Sequence, residues 1–318
     1  MPREHTAVPP ADFRSYYGRQ ILKTPVWNWT IAAYLFTGGL SAGSALLGAG
    51  ADLTGRPGLR RVNRLGSMVA ILVSLVLLVA DLGRPERFHH MLRVAKPSSP
   101  MSVGTWILGA YGPFAVLAGI AELVPKRWRR TLIGRLIGGA ARPAGVAAAA
   151  VAPAVASYTA VLLSQTAVPA WNDSHRHLPF MFTGSAAAAG AGLGLLLAPV
   201  DQTAPARRMA VAGVTMEVGA ARLLEHRLGV TREAFMTGRP RHLMRASEIL
   251  TVGGAVGAVV SGRRRWAVAA SGVALLAGSA LQRFGVFEAG VASTKDPKYV
   301  VVPQRERIAQ RQTSSAHG

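Results

Sequence analysis

Apolar residues in this chain come in long blocks joined by short polar connections. Eight such blocks, at 27–50, 63–82, 102–124, 141–167, 178–200, 209–228, 246–262 and 266–286, meet or approach the roughly 20 residues needed to cross ~30 Å of hydrocarbon. Their apolar residues fill the blocks rather than recur at amphipathic spacing, which predicts helices surrounded by lipid and by one another. The pattern predicts an all-α integral membrane fold with eight transmembrane helices. Glu217, Arg222 and Glu225 interrupt the sixth block, and only Arg263-Arg264-Arg265 separates the seventh from the eighth. Within the blocks Gly39…Gly43, Gly190…Gly194 and Gly253…Gly257 have the spacing that lets helix backbones approach closely.

The first and fifth blocks are related. LFTGGLSAGSALLGA at 35–49 and MFTGSAAAAGAGLGL at 181–195 agree at 7 of 15 positions at an offset of 146, including Phe-Thr-Gly. Gly83-Arg84-Pro85 follows the second block, and Gly238-Arg239-Pro240 lies in the connection after the sixth. Four spans per repeat keep both copies in one orientation, which predicts a parallel repeat of two four-helix bundles. The expected organisation is a polar segment at 1–26, a first bundle at 27–167, a second at 168–286 and a polar tail at 287–318.

Composition refines this picture. Of 318 residues, 50% are hydrophobic and 16% charged, yet 36 Lys+Arg face 15 Asp+Glu for a net charge of +21. Such a balance suits nucleic acid in a soluble protein, but here the cations sit in short connections, as in Arg56-Arg60-Arg61-Arg64 and Lys126-Arg127-Arg129-Arg130. Lipid headgroups and membrane potential account for that placement, and nucleic acid is not expected as a partner. The first 26 residues lack the apolar core of a cleaved secretory signal, so the first span is expected to act as its own insertion signal in the cell membrane. The loops after the odd-numbered spans are short and poor in acids, which leans toward placing them inside and both termini on the outer face.

With no cysteine, the chain has no thiolate for an iron–sulfur cluster. All eight histidines, at 5, 89, 90, 175, 177, 226, 242 and 317, fall in tails, connections or block ends, which argues against a haem held between intramembrane histidines. His89-His90 and His175/His177 read as solvated loop residues, and no metal is expected. Two readings stand for Asp81, at the end of the second block: a proton-handling carboxylate near the membrane surface with Arg84 beside it, or a helix end paired with Arg84 or Arg87. Glu217, deeper in its block, is either a proton-relay carboxylate or a neutral acid bonded to a neighbouring helix. Glu122, next to Lys126, reads as interfacial, and Trp27 and Trp29 as an aromatic belt. Asn28 offers an amide at the interface, and Tyr158 a hydroxyl that needs a partner inside the fourth block.

Trp27, Tyr34-Leu35-Phe36, Gly39 and Ala42-Gly43, then Asp81-Leu82-Gly83-Arg84-Pro85-Glu86-Arg87-Phe88, then Pro97-Ser98-Ser99-Pro100-Met101-Ser102 with Trp106, resemble the polysulfide reductase NrfD family of membrane subunits. Ser157-Tyr158-Thr159, Thr166-Ala167-Val168-Pro169, Trp171-Asn172 and the closing Arg283-Phe284-Gly285 extend the resemblance to about residue 305. The resemblance implies eight spans in two four-helix bundles and no metal cofactor in this chain. It also implies electron exchange between an exchangeable membrane quinone and an iron–sulfur, ferredoxin-like subunit attached to a molybdopterin catalytic subunit. By position, Asn28 and Tyr158 are implied as quinone ligands, Asp81 with Arg84 as the proton-handling pair, and Glu217 and Trp106 stand as further candidates. A secondary transporter using Glu217 and Asp81, or a passive membrane anchor without a quinone site, are the competing functions.

Overall fold

The structure, a computed structural model, describes residues 20–82, 84–125 and 127–316, and every regular element among them is helical. His5, Gly83, Lys126 and His317 lie outside the described residues. Helix α1 (Trp29–Leu53) turns at Gly55, whose φ of +66° suits a residue without a Cβ, into α2 (Pro57–Ala80), which starts on a proline where a helix leaves N–H groups unpaired anyway. A 3₁₀ helix over Pro85–Leu92 leads to α3 (Pro100–Leu123), whose cap Ser99 accepts from the Ser102 amide. Thr131 caps α4 (Leu132–Ser164) by accepting from the Gly134 amide at 3.2 Å. The short α5 (Pro169–Asp173) precedes α6 (Leu178–Leu197), α7 (Ala204–Arg227) and the short α8 (Arg232–Met236). Then come α9 (Gly238–Val260), α10 (Arg265–Lys295) and α11 (Lys298–Ala316).

Among the described residues, seven helices are long and apolar enough to cross a membrane: α1, α2, α3, α4, α6, α9 and α10. Helix α7, which coincides with the sixth expected span, has the length at 24 residues but not the composition, because Arg207, Arg208, Glu217, Arg222, Glu225 and Arg227 dilute it. Helices also outrun the apolar blocks. Helix α4 begins nine residues before its block and α10 runs on to Lys295, since a helix continues as long as its backbone bonds do and hydropathy marks only the lipid-immersed part.

Helices α1 and α6 form the centre. Their apolar stretches are 72% and 67% buried, against 28% for α9 and 39% for α2 and α3. The two cross where Gly43 meets Ala186 and Gly190, and a Cβ on Gly43 or Gly190 would collide with the opposing backbone. Around this crossing α1 packs on α2 and α4, and α6 on α7 and α10, while α3 lies against α4 and α9 against α10. Val69, Leu72 and Val76 on α2 and Ile249, Val256 and Val260 on α9 point outward, as lipid-facing positions do. Inside, hydroxyls join helices: Tyr111 of α3 lies 2.8 Å from both Ser41 of α1 and Ser67 of α2.

Several connection arginines are structural. Arg207 donates to the carbonyls of Ala258 and Gly262 at the end of α9, and Arg265 to those of Leu195, Leu196 and Ala198 at the end of α6. These are the carbonyls that a helix end leaves unpaired.

Candidate functional site

The alternating helices bring the start of α1, the end of α2, the start of α3 and the end of α4 to one face, here called the N-terminal face. Asp81 terminates α2 there, and its Oδ1 accepts from the Thr30 hydroxyl at 2.8 Å and from the Asn28 backbone amide at 3.4 Å. The side chain of Asp81 is thus pinned to the first turn of α1, where a carboxylate also meets the positive end of the helix dipole. Asn28 and Asp81 do come together, through the Asn28 backbone. The Asn28 side chain is exposed and makes no capping bond. Thr30 escaped the sequence reading, although its position two residues after Asn28 placed it in the same turn.

Arg84 and Arg87 are exposed, and among the described residues no ion pair joins either to Asp81. Tyr158 is buried in α4 with its ring against Gly104 of α3, where a Cβ would have no room. No hydrogen bond to its hydroxyl occurs among the described residues. Trp106, half-exposed on α3, donates from Nε1 to the Val94 carbonyl at 3.4 Å. Ser102 adds a bond to the same carbonyl at 2.8 Å and accepts from the Lys96 amide at 2.9 Å. The Pro-Ser-Ser-Pro-Met-Ser string therefore builds the junction into α3.

That junction covers one end of an apolar cleft of about 870 Å³ between α2 and α3. Leu75, Leu78 and Leu82 form one wall, Trp106 and Pro113 the other, and Phe88 of the 3₁₀ helix closes the top. Leu82 of its lining directly follows Asp81 in the chain, while Asp81, Asn28 and Tyr158 do not themselves line the cleft.

A second cleft, of about 280 Å³, lies among α7, α8 and α9 on the same face. Arg222, Arg232, Arg241 and Arg245 line it with Glu225 and Glu248, and Arg222 pairs with both acids. At its base Glu217 is buried and its Oε1 accepts from Gln282 Nε2 of α10 at 2.7 Å. Glu217 Oε2, Gln282 Oε1 and Arg283 Nη1 are buried without partners. Arg283 donates to the Phe182 carbonyl at 2.7 Å and lies 3.6 Å from the centroid of the Phe182 ring. Gln282-Arg283 inside an apolar run was the signal available for this cluster, since polar groups at that depth need a reason.

Trp171 is buried: it donates to the Val286 carbonyl at 2.8 Å and stacks on Trp27 at 5.8 Å, with its indole pressed on Gly290. Trp27 therefore docks α5, and Trp29, 64% exposed, is the member of the pair placed as a belt residue. Asn172 donates to the carbonyls of Ser164 and Thr166 at the end of α4. His177 at the start of α6 is held below its usual histidine range by burial and by Arg227, Arg176 and His175. Among the described residues no cluster of His, Asp and Glu could hold a metal.

At the opposite face Asp52 and Glu122 are bound by two arginines. Arg64 reaches Asp52 at 2.9 Å and Glu122 at 3.1 Å, and Arg60 reaches them at 3.2 and 2.7 Å. Glu122 is thus a member of an ion network as well as an end-of-helix acid. Arg60 and Arg64, four apart on one helix face, were the signal in the sequence.

Comparison with known proteins finds relatives that share this architecture's sequence. A family model described as polysulphide reductase, NrfD, matches residues 20–225, from before α1 into the last turns of α7. The C subunit of polysulfide reductase from Wolinella succinogenes is 30% identical over 190 residues, covering 52% of this protein and 56% of that one. The match therefore spans little more than half the length of the curated relative.

Proposed function

This chain belongs to the polysulphide reductase NrfD family, and from that premise we propose that it is the multi-pass membrane subunit of a reductase complex that exchanges electrons with a membrane quinone. The other side of the exchange is an iron–sulfur, ferredoxin-like subunit attached to a molybdopterin catalytic subunit. The observation that carries the reading is Asp81, pinned by Thr30 and the Asn28 backbone amide one residue before Leu82, which lines a large apolar cleft. The residues fit such a ligand. The cleft suits an isoprenoid tail, and the Asn28 side-chain amide and Tyr158 hydroxyl are polar groups without partners among the described residues.

A quinone supplies two-electron, two-proton redox chemistry, which this chain's own side chains lack. Asn28 and Tyr158 donate hydrogen bonds that orient the head group. Asp81, whose Oδ2 has no partner among the described residues, would take up a proton released when a quinol is oxidised there and pass it to water. Thr30 keeps the carboxylate aimed. Arg84, exposed beside it, adds positive potential along the exit.

The packing order α1–α2–α3–α4 recurs in α6–α7–α9–α10, which supports two four-helix bundles within 27–167 and 168–286. In this reading α7 is the span that completes the eight, packed on α6 along one side, and its 24 residues at about 1.5 Å each suffice to cross. Plasma-membrane residence with the termini on the outer face belongs to the same proposal.

The test is quinol-dependent reduction of the partner's clusters in purified complex. Asp81→Asn and Tyr158→Phe should each slow it, and full activity in both variants overturns the site. The charged cleft that ends at Glu217 favours a second reading, coupled transport, which proteoliposome flux without any redox partner would establish.

A further inference from the structure

We propose that the cleft at the face opposite Asp81 binds the phosphate of an anionic phospholipid. The cleft, about 320 Å³, lies between the ion network and the first turns of α4, within the size range of ligand sites. Its lining carries four arginines, Arg60, Arg64, Arg135 and Arg142, against two acids, Asp52 and Glu122. Both acids are already bound by Arg60 and Arg64, which leaves Arg135 and Arg142 uncompensated. Neither has an ion-pair partner among the described residues. Arg64 is 5% exposed and held by both acids, so the open positive charge of the cleft is that of Arg135 and Arg142, and it calls for an anionic acceptor.

The acceptor is a lipid phosphate because of where the arginines stand. Helix α4, at 33 residues, is about 50 Å long, so its first part extends some 20 Å beyond a ~30 Å hydrocarbon core. Arg135 and Arg142 are two turns apart in that first part and line the same cleft. Around them Leu132, Ile133 and Leu136 are 64–74% exposed, the mixture of cations and bare aliphatics that suits the level where headgroups meet acyl chains. Two other connection arginines differ: Arg207 and Arg265 are consumed by helix-end carbonyls. A phosphate between Arg135 and Arg142 accepts charge-assisted hydrogen bonds from both.

The test uses the assembled complex reconstituted into nanodiscs of phosphatidylcholine alone or with phosphatidylglycerol, followed by native mass spectrometry and thermal unfolding. The wild type should retain phosphatidylglycerol and melt at higher temperature in its presence. In the Arg135→Gln/Arg142→Gln variant, retention should fall about tenfold and the melting shift should vanish, with Arg135→Lys/Arg142→Lys restoring part of both. Both positions are exposed, so the substitutions leave the core intact, and unchanged helical content by circular dichroism checks this. Equal retention by the Gln variant overturns the site. A full melting shift with inorganic phosphate in phosphatidylcholine discs overturns the lipid assignment.

Discussion

The junction between successive long helices on the N-terminal face takes two chemically opposite forms, one between α2 and α3 and one between α7 and α9. Between α2 and α3 it is an apolar cleft lined by Leu75, Leu78 and Phe88, with Asp81 directly before its lining residue Leu82. Between α7 and α9 it is a smaller cleft ringed by arginines and glutamates that descends to the buried Glu217. One junction is thus apolar and the other charged. What differs is the side chains on α7 and α9, where Arg222, Glu225, Arg245 and Glu248 stand in place of aliphatics. Part of the charge that keeps α7 from the composition of a span faces this cleft, where Arg222 pairs with Glu225 and Glu248.

The largest test of the contrast is Asp81→Asn. If proton transfer runs through the apolar junction, quinol-dependent cluster reduction should fall by about 10²-fold, the usual weight of a positioned acid–base group. Stopped-flow reduction of the partner's clusters measures it. Next, a charge placed in the apolar cleft, as in Leu78→Glu, should raise KM for quinol about tenfold through the cost of burying it while changing kcat less. Steady-state kinetics over a quinol series reads that split. Glu217→Gln should leave cluster reduction within about threefold of wild type, because Gln keeps the acceptor for Gln282 Nε2 and the residue serves the other junction. A loss as large as that of Asp81→Asn would break the contrast.

The smallest effect concerns the corner that leads into α6. Burial and Arg227 lower the folded-state histidine range of His177, so the folded protein resists its protonation. The stability this represents is present above the unfolded value of ~6.5 and is lost as pH falls below it toward the folded value. Melting curves between pH ~7.5 and ~5.5 should show a shallow decline, reduced in His177→Gln.

The helical, multi-pass character was legible because lipid demands long apolar runs with their backbone bonds made internally. Asp81 was legible as well, since an acid at the end of an apolar run stands out. The pairing of that acid was not. The sequence neighbours Arg84 and Arg87 looked like its partners, yet the helix geometry turns its oxygen to Thr30, 51 residues away. Trp27 read with Trp29 as an interface aromatic from position alone, and only folding puts its ring on Trp171. Asp52, Arg60, Arg64 and Glu122 were each ordinary loop-edge charges until three helices closed on one another.

By itself, then, the sequence determined that this chain crosses a membrane several times, carries no thiolate for a metal cluster and ends its second span in a carboxylate. Tertiary structure alone decided which apolar helices are central. Lipid and protein interior are equally apolar, so hydropathy assigns α1 and α9 the same character, while the crossing at Gly43 and Gly190 buries one and leaves the other against lipid. It also decided which charges are consumed by pairing and which stay open, because an ion pair depends on atoms meeting in space across helices that the chain order keeps apart.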